Sequence, residues 1–113
     1  MIWEQGDIIE VNFDPTLGHE PQKRRPALVV SVSFFNNVLS SLAVVCPITS
    51  TKNGHPLHVE IPEGNVVQGC VCIEAMRAID LEDPGRAARS LGQPLDCETM
   101  AKVLDGIGGV FGI

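Results

Sequence analysis

Short apolar segments separated by turn residues at close intervals constrain the fold of this chain most strongly. Residues 27–32 form a nearly continuous apolar run, typical of a strand buried on both faces, whereas residues 57–61 alternate apolar and polar side chains. Asn36-Asn37 supplies a turn signal after the first of these segments. Further β-type segments lie at residues 42–46, which Pro47 closes, and at residues 70–73 and 77–79. This spacing predicts a mainly β protein, either a small barrel or a sandwich.

An earlier β-type segment leads into an unusual charged stretch. Ile9, Val11 and Phe13 alternate with Glu10 and Asn12, the pattern of a half-buried strand. A long polar loop follows and ends at Pro26, and loops of this length inside compact domains are usually functional or disordered. We therefore expect the function to depend on this loop, which carries His19, Glu20, Gln22, Lys23, Arg24 and Arg25.

The C-terminal region has the spacing of an amphipathic helix. Asp96 is a suitable N-cap, and the apolar residues that follow recur on one helical face. Four glycines near the C-terminus each disfavour a helix by about 1 kcal/mol relative to alanine, so we expect the last turn or two to fray or end early. The apolar face, which should pack on the β-structure, comprises Met100, Val103, Leu104, Ile107 and Phe111.

Composition limits the class of protein. With 113 residues and 12.1 kDa, residues 1–113 are long enough for a single domain with one core. The sequence has no apolar run of transmembrane length, and its N-terminus carries acids where a signal peptide carries basic residues. We therefore expect a cytoplasmic protein without a membrane partner.

The four cysteines do not follow a metal-site or disulfide pattern. Cys46, Cys70 and Cys72 lie in apolar segments, and with Cys97 they form no C-x-x-C spacing. Buried free thiols are the favoured interpretation. No metal or cofactor is expected, and His55 and His58 are interpreted as surface residues.

Charge is distributed unevenly along the chain. The formal net charge of −6 argues against a protein that grips long nucleic acid over its whole surface. Three of the eight basic residues are nevertheless consecutive, at Lys23, Arg24 and Arg25. A local positive field, rather than the net charge, would have to attract an anionic partner.

Several blocks of sequence resemble one known family. They are Gly6-Asp7-Ile8, Phe13-Asp14-Pro15-Thr16, Gly18-His19-Glu20, the run from Arg25 to Ser31, Pro47-Ile48-Thr49-Ser50, and weaker matches at residues 69–71 and 77–80. In order and spacing they are similar to the MazF/PemK/Kid family of toxin endoribonucleases, the toxic halves of bacterial toxin–antitoxin pairs. The resemblance implies an α+β fold: a small SH3-like β-barrel with appended helices, including a C-terminal helix packed on it.

The resemblance also implies a catalytic site. Arg25 and Thr49 occupy the positions of the family's catalytic pair, with His19 and Glu20 on the neighbouring loop, and either of these two could be the general base. A guanidinium fork and a hydroxyl are suited to a phosphate group that gains charge during RNA cleavage. The residues expected to contact the RNA are Lys23, Arg24, Ser50, Glu74 and Arg77.

One catalytic position departs from the family pattern. Part of the family uses an arginine and an acid two residues apart, and here those positions hold Cys72 and Glu74. By strand alternation Cys70, Cys72 and Glu74 would share one face. Cys72 fits either the polar side of that strand or a fully buried strand, and Arg77 is a candidate to replace the missing charge.

The implied activity is sequence-specific, metal-independent cleavage of single-stranded mRNA, leaving a 2′,3′-cyclic phosphate and a 5′-hydroxyl. The implied partners are a second copy of the chain, as a homodimer, and a cognate MazE/PemI-like antitoxin. The alternative is a non-catalytic toxin of the same fold that poisons DNA gyrase, like CcdB, through its C-terminal helix. A plain SH3-like interaction module is a third reading, which leaves the charged loop unexplained.

Overall fold

Seven short strands and one α-helix form the fold in a computed structural model, which describes residues 2–13 and 24–113. Short helical turns lie at Phe35–Leu39, Ile73–Ala75 and Pro84–Arg86. No helix within the described ranges is long and apolar enough to cross a membrane. The elements are β1 (Asp7–Asn12), β2 (Arg24–Val29), β3 (Ala43–Thr49), β4 (His58–Ile61), β5 (Gly69–Cys72), β6 (Arg77–Ile79), β7 (Arg89–Pro94) and α1 (Cys97–Phe111).

The strands form one antiparallel sheet in the order β4-β5-β3-β2-β1-β7, and β6 pairs with β3 outside this path. The mainly β fold with a C-terminal helix is therefore confirmed. The two ends of the path, β4 and β7, do not pair with each other in the described part of the chain, so this sheet is open rather than a closed barrel.

Both faces of the sheet carry an apolar core. Ile8 and Leu28 belong to one cluster, which includes Met100 and Val103 of α1, whereas Ile9 belongs to a second cluster. The strand is therefore more fully buried than predicted: Ile9 and Val11 are buried on the predicted apolar face, and Ile8 and Asn12 are also buried on the other face, where Glu10 stays partly exposed.

The buried polar residue of β1 has a partner. Asn12 is only 4% exposed, and its side-chain amide donates a hydrogen bond to the carbonyl of Gly85 (3.3 Å). A buried amide is tolerated when such a bond replaces its contacts with water. The alternation of polar and apolar residues in β1 consequently did not reveal that its polar side is also partly covered.

The second strand begins earlier than the sequence suggested. Arg24 and Arg25 pair with Asn12 and Val11 of β1, so both arginines lie in β2 rather than in the loop. His19, Glu20 and Lys23 lie outside the described residues.

Pro47 lies inside β3 and does not close it, contrary to the prediction. On one edge of β3, Pro47 is opposite Ala27 of β2. On the other edge, β3 pairs with β6 up to Val45 and with β5 from Ile48, so Pro47 lies in the gap between these two partner strands. A proline is tolerated there because no ladder hydrogen bond is needed on that edge.

The C-terminal helix starts as predicted and extends further than predicted. The Asp96 carboxylate accepts a hydrogen bond from the backbone N–H of Thr99 (3.0 Å), which confirms the N-cap. The helix continues to Phe111, and Gly112 ends it in the left-handed conformation at φ 75°. A Cβ at Gly106 would lie 2.6 Å from Ile73 Cδ1, so a glycine there allows close packing of α1.

Only part of the expected apolar face of α1 is in the core. Met100 and Val103 are buried and Ile107 packs against them, as predicted. Leu104 and Phe111 are exposed, which corrects their assignment to the packed face. The helix packs on β4 and on the turn at Ile73–Ala75, and this contact does not cover either side chain.

All four cysteines are free thiols. Cys46, Cys70 and Cys72 are buried as predicted, whereas Cys97 is exposed at the start of α1. Burial raises the pKa of the Cys46 thiol to about 12. The Cys46 thiol is thus protonated at neutral pH and packs as a small apolar side chain.

Candidate active-site groove

An open groove of about 480 Å³ lies where the start of β2 meets the end of β3. The loop after β3 and the residue before β5 complete its walls. Its polar lining suits a charged ligand better than an apolar one. The lining residues are Arg24, Arg25, Pro26, Ile48, Thr49, Ser50, Thr51 and Gln68.

The ends of two neighbouring strands bring Arg25 and Thr49 to the same groove. The pairing of β2 with β3 ends where Ala27 is opposite Pro47, so Arg25 and Thr49 lie two residues beyond it, one on each strand. Both residues line the groove. The side chains predicted from sequence as a catalytic pair, 24 positions apart, therefore border the same space.

The Arg25 guanidinium is available to a ligand. Its residue is exposed, and none of the carboxylates in the described ranges forms an ion pair with it. A free guanidinium presents several N–H donors in a fixed plane, which matches two oxygens of one phosphate.

The Thr49 hydroxyl is held by its own loop. Its Oγ1 accepts a hydrogen bond from the backbone N–H of Thr51 (3.2 Å). Because this bond uses a lone pair, the hydroxyl proton stays free to be donated. Thr49 can thus donate a hydrogen bond into the groove from a defined position.

Arg24 adds positive charge at the groove wall. Its Nη1 lies 3.3 Å from the Glu10 carboxylate, which Arg89 also contacts at 2.9 Å. The hydrogen bond from Arg89, aided by the bond from Arg24, lowers the pKa of Glu10 despite its partial desolvation. Two guanidinium groups share one carboxylate, so this arrangement keeps a net positive charge beside the groove.

The groove also contains residues that the sequence analysis did not select. Thr51 and Gln68 line it, and Gly69 lies against the backbone carbonyl of Thr49. Gly69 has φ +124°, and a Cβ added there would overlap the Thr49 carbonyl oxygen. Gly69 could have been found from the sequence, because it begins the block at residues 69–71 that resembles the family. Nothing in the local sequence pattern distinguishes Gln68.

Two predicted substrate-binding residues are not among those lining the groove. The Arg77 guanidinium carbon lies 5.7 Å from the centre of the Phe13 ring, and its Nη1 donates to the Phe13 carbonyl (3.5 Å). Glu74 lies instead next to His58. The groove thus joins Arg24, Arg25, Thr49 and Ser50, while His19, Glu20 and Lys23 lie outside the described residues.

The expected alternation from Cys70 to Glu74 was wrong. β5 ends at Cys72, and Glu74 lies in the helical turn at Ile73–Ala75, so it does not continue the strand face. Two interpretations of Cys72 were open, the polar side of an alternating strand or a fully buried strand. Cys72 is 7% exposed, which favours the buried strand.

A second polar cluster lies at the β4 end of the sheet, where the helical turn after β5 approaches β4. The His58 Nε2 and Glu74 Oε2 atoms are 2.9 Å apart, and the rings of His55 and His58 stack with centroids 4.7 Å apart. The His58 side chain is only 8% exposed, so its prediction as a surface residue was wrong. Burial raises the pKa of Glu74, but the hydrogen bond to His58, a backbone hydrogen bond and the electrostatic effect of His58 and His55 together outweigh it, so the net shift is downward.

Comparison with known proteins identifies the family. Residues 4–111 match the model of the PemK-like, MazF-like toxins of type II toxin–antitoxin systems. The chain belongs to this family. The resemblance predicted from the sequence is thus confirmed.

Named relatives and solved structures agree with this assignment. The endoribonuclease toxin ChpB of Escherichia coli (strain K12) is 41% identical over 102 residues, which cover 83% of this chain and 82% of ChpB. The endoribonuclease toxin MazF of the same strain is 33% identical over 76 residues, which cover 67% of each chain. A MazE–MazF structure from Deinococcus radiodurans has a TM-score of 0.84 at 30% identity and covers 100% of this chain and 99% of that one.

Proposed function

We propose that this chain is an endoribonuclease toxin that cleaves single-stranded mRNA at specific sequences without a metal ion. The observation that carries the proposal is that Arg25 and Thr49, from the ends of the neighbouring strands β2 and β3, line one open groove. The names of the relatives ChpB and MazF, both endoribonuclease toxins, support it.

The proposed reaction is an internal transesterification. The 2′-oxygen of one nucleotide attacks the adjacent phosphorus and loses its proton to a base, while the bond from phosphorus to the 5′-oxygen breaks. The 5′-oxygen takes up a proton. The products are a 2′,3′-cyclic phosphate and a 5′-hydroxyl.

In this reaction Arg25 and Thr49 stabilise the phosphate as it gains negative charge. The guanidinium donates to two phosphate oxygens, and the hydroxyl donates to the same group. Either His19 or Glu20 is proposed as the base, because both side chains can accept a proton near neutral pH or below. Lys23, Arg24 and Ser50 are proposed to hold the RNA backbone.

Glu74 and Arg77 stay predicted RNA contacts, although neither residue lines the groove. Because Cys72 is buried and carries no fixed charge, it does not replace the arginine of other family members. The proposed mechanism therefore depends on Arg25 for its positive charge at the reacting phosphate.

We further propose that the toxin is a cytoplasmic homodimer that a cognate antitoxin inhibits. RNA would lie across the dimer groove with its bases unpaired, so that their edges can be read. The MazE–MazF complexes from Deinococcus radiodurans support an antitoxin partner of the MazE class.

The test is cleavage of a long single-stranded RNA in EDTA by purified protein. Discrete fragments with cyclic phosphate ends are expected. Arg25→Ala and Thr49→Ala should each lower the cleavage rate by about 100- to 1000-fold, the usual cost of one lost donor to a developing oxyanion. Both residues are in the groove wall rather than the apolar core, so the variants should melt near the wild-type temperature.

Lys102→Ala is the matched control, because it removes an exposed positive charge from α1, outside the groove. It should cleave like the wild type. Near-wild-type cleavage by folded Arg25→Ala and Thr49→Ala would remove both residues from the mechanism. No cleavage by any variant, with inhibition of DNA gyrase instead, would favour a CcdB-like toxin.

A further inference from the structure

We propose that His55, His58 and Glu74 form a binding site for a divalent transition metal ion of the zinc class. One donor atom from each of the three residues lies within 4.8 Å of the others. None of the three lines the groove around Arg25 and Thr49, so the site is separate from the proposed cleavage centre.

The fold brings these residues together from three segments. His58 begins β4 and is opposite Cys72 at the end of β5, and the helical turn that follows β5 carries Glu74 back toward it. His55 precedes β4 by three residues, and the backbone bond from His58 N–H to the His55 carbonyl (3.0 Å) closes the turn between them. Strand pairing thus brings the two histidines of the H-x-x-H segment close to Glu74, which is distant from them in the sequence.

The donor geometry is close to that of a metal site. Zinc bonds to histidine nitrogen and carboxylate oxygen are about 2.0–2.2 Å long, so two ligand atoms on one ion lie roughly 3–4 Å apart. His58 Nε2 and Glu74 Oε2, at 2.9 Å, already approach this separation. An ion can replace the proton that these two atoms share.

The His58 ring is largely buried and presents one nitrogen, Nε2, to Glu74. The His58 side chain is more than nine-tenths buried, and its Nδ1 has no hydrogen-bond partner in the described part of the chain. An unpaired buried nitrogen costs free energy. The ring nevertheless keeps Nε2 directed at Glu74, which is the orientation that ligation requires.

His55 must move for the ion to bind. Its ring is inclined by only 21° to the His58 ring, so the in-plane lone pairs of the two rings do not converge on one point. The His55 Nδ1 accepts an exposed hydrogen bond from the Leu57 N–H (3.0 Å). Rotation of the ring about χ2, a soft torsion, exchanges this bond for a metal bond.

The donor set selects the kind of ion. Two imidazoles and one carboxylate suit zinc and neighbouring transition metals, whereas magnesium prefers oxygen ligands. Three protein ligands leave a fourth position for water. The proposal does not depend on the cleavage mechanism, because no step of that mechanism uses this ion.

The test is titration of the metal-stripped protein with zinc chloride, followed by calorimetry and by thermal melting. One ion per chain and a higher melting temperature in zinc are expected. His55→Ala and Glu74→Gln should each weaken zinc affinity by at least about 10-fold, since even outer partners of metal ligands are typically worth 10- to 100-fold. Magnesium chloride should produce neither effect.

Three controls make the result specific. His19→Ala removes the third histidine of the chain, Cys97→Ser removes the exposed thiol, and Glu63→Gln removes an exposed carboxylate of the turn after β4. All three should keep wild-type zinc affinity. Absence of saturable zinc binding, or equal affinity in His55→Ala, Glu74→Gln and the controls, would overturn the proposal, whatever the outcome of the RNA assay.

Discussion

At the scale of single residues, the position of Thr49 depends on a glycine in the neighbouring strand. Gly69 lies against the Thr49 carbonyl with no room for a Cβ, and its φ of +124° is one that side-chain-bearing residues rarely adopt. In the loop after β3, the backbone N–H of Thr51 donates a hydrogen bond to the Thr49 hydroxyl and holds it in place. A small change in the backbone of β5 is therefore expected to move a donor of the groove.

We predict that Gly69→Ala lowers RNA cleavage by roughly 100-fold in protein that is still folded, because a displacement of about 1 Å at a catalytic group can have that effect. Gly92→Ala is the matched control. Gly92 also has a positive φ, +94°, but open space at its Cβ position. Equal cleavage by both variants, measured below their melting temperatures, would show that Gly69 does not position Thr49.

A second residue-scale prediction concerns Cys72, where part of the family carries an arginine. Cys72→Arg should lower the free energy of unfolding by about 3–5 kcal/mol, because it buries an unpaired charge. Gln93→Arg, on the exposed edge strand β7, should change stability little. Denaturant unfolding measures both, and a stable Cys72→Arg variant with increased cleavage would show instead that this position opens to the RNA.

At the scale of elements, Asp96 ties the N-terminus of α1 to the turn after β4. Its carboxylate accepts from the Thr99 N–H and hydroxyl (both 3.0 Å) and from the Asn65 amide (2.9 Å). The bond from the Thr99 backbone, followed by that from Asn65, lowers the pKa of Asp96. The cap therefore connects the helix both to its own first turn and to the turn after β4.

We predict that Asp96→Ala lowers the melting temperature at pH 7, and that the difference from the wild type narrows as the pH falls. The folded-state pKa of Asp96 is below the unfolded value, so its stabilisation is complete above the ordinary aspartate range and is lost as the pH falls through the folded pKa. Asp96→Asn is the control, since asparagine also caps helices without titrating. A difference that does not change with pH would show that the charge of Asp96 contributes nothing.

At the scale of the whole molecule, a net charge of −6 coexists with a basic groove wall. Arg24 and Arg25 are adjacent at the start of β2, and only Arg24 is paired with an acid of the described chain. The remaining charge attracts anions locally, whereas the acidic surface elsewhere disfavours indiscriminate binding to nucleic acid.

We predict that the cognate antitoxin binds this basic wall through an acidic segment that folds on binding, and that it competes with RNA. The interaction should weaken as the salt concentration rises, because it depends on exposed charges. Arg24→Ala should weaken binding of both partners, whereas Lys102→Ala should affect neither. Simultaneous binding of antitoxin and RNA, without mutual weakening, would contradict a shared surface.

The sequence by itself determined the β-rich class, the capped C-terminal helix and the identity of Arg25 and Thr49 as a candidate pair. These conclusions follow from local patterns: the period of apolar residues, a carboxylate before a helical segment, and short motifs. The family match at residues 4–111 confirms the class of protein to which such patterns belong. Each signal is contained within a few neighbouring residues.

Only the tertiary structure decided which faces are covered and which distant side chains meet. In β1, Ile8 is buried in a cluster with Leu28 and Leu95, and Ile9 is buried in a cluster with Trp3. Cys72 is buried in β5, which lies between β4 and β3. The cluster of His58 and Glu74 depends on the β4–β5 register and on the end of the strand at Cys72. Strand pairing between segments far apart in sequence sets these contacts, and a local period of two does not specify the partner strand.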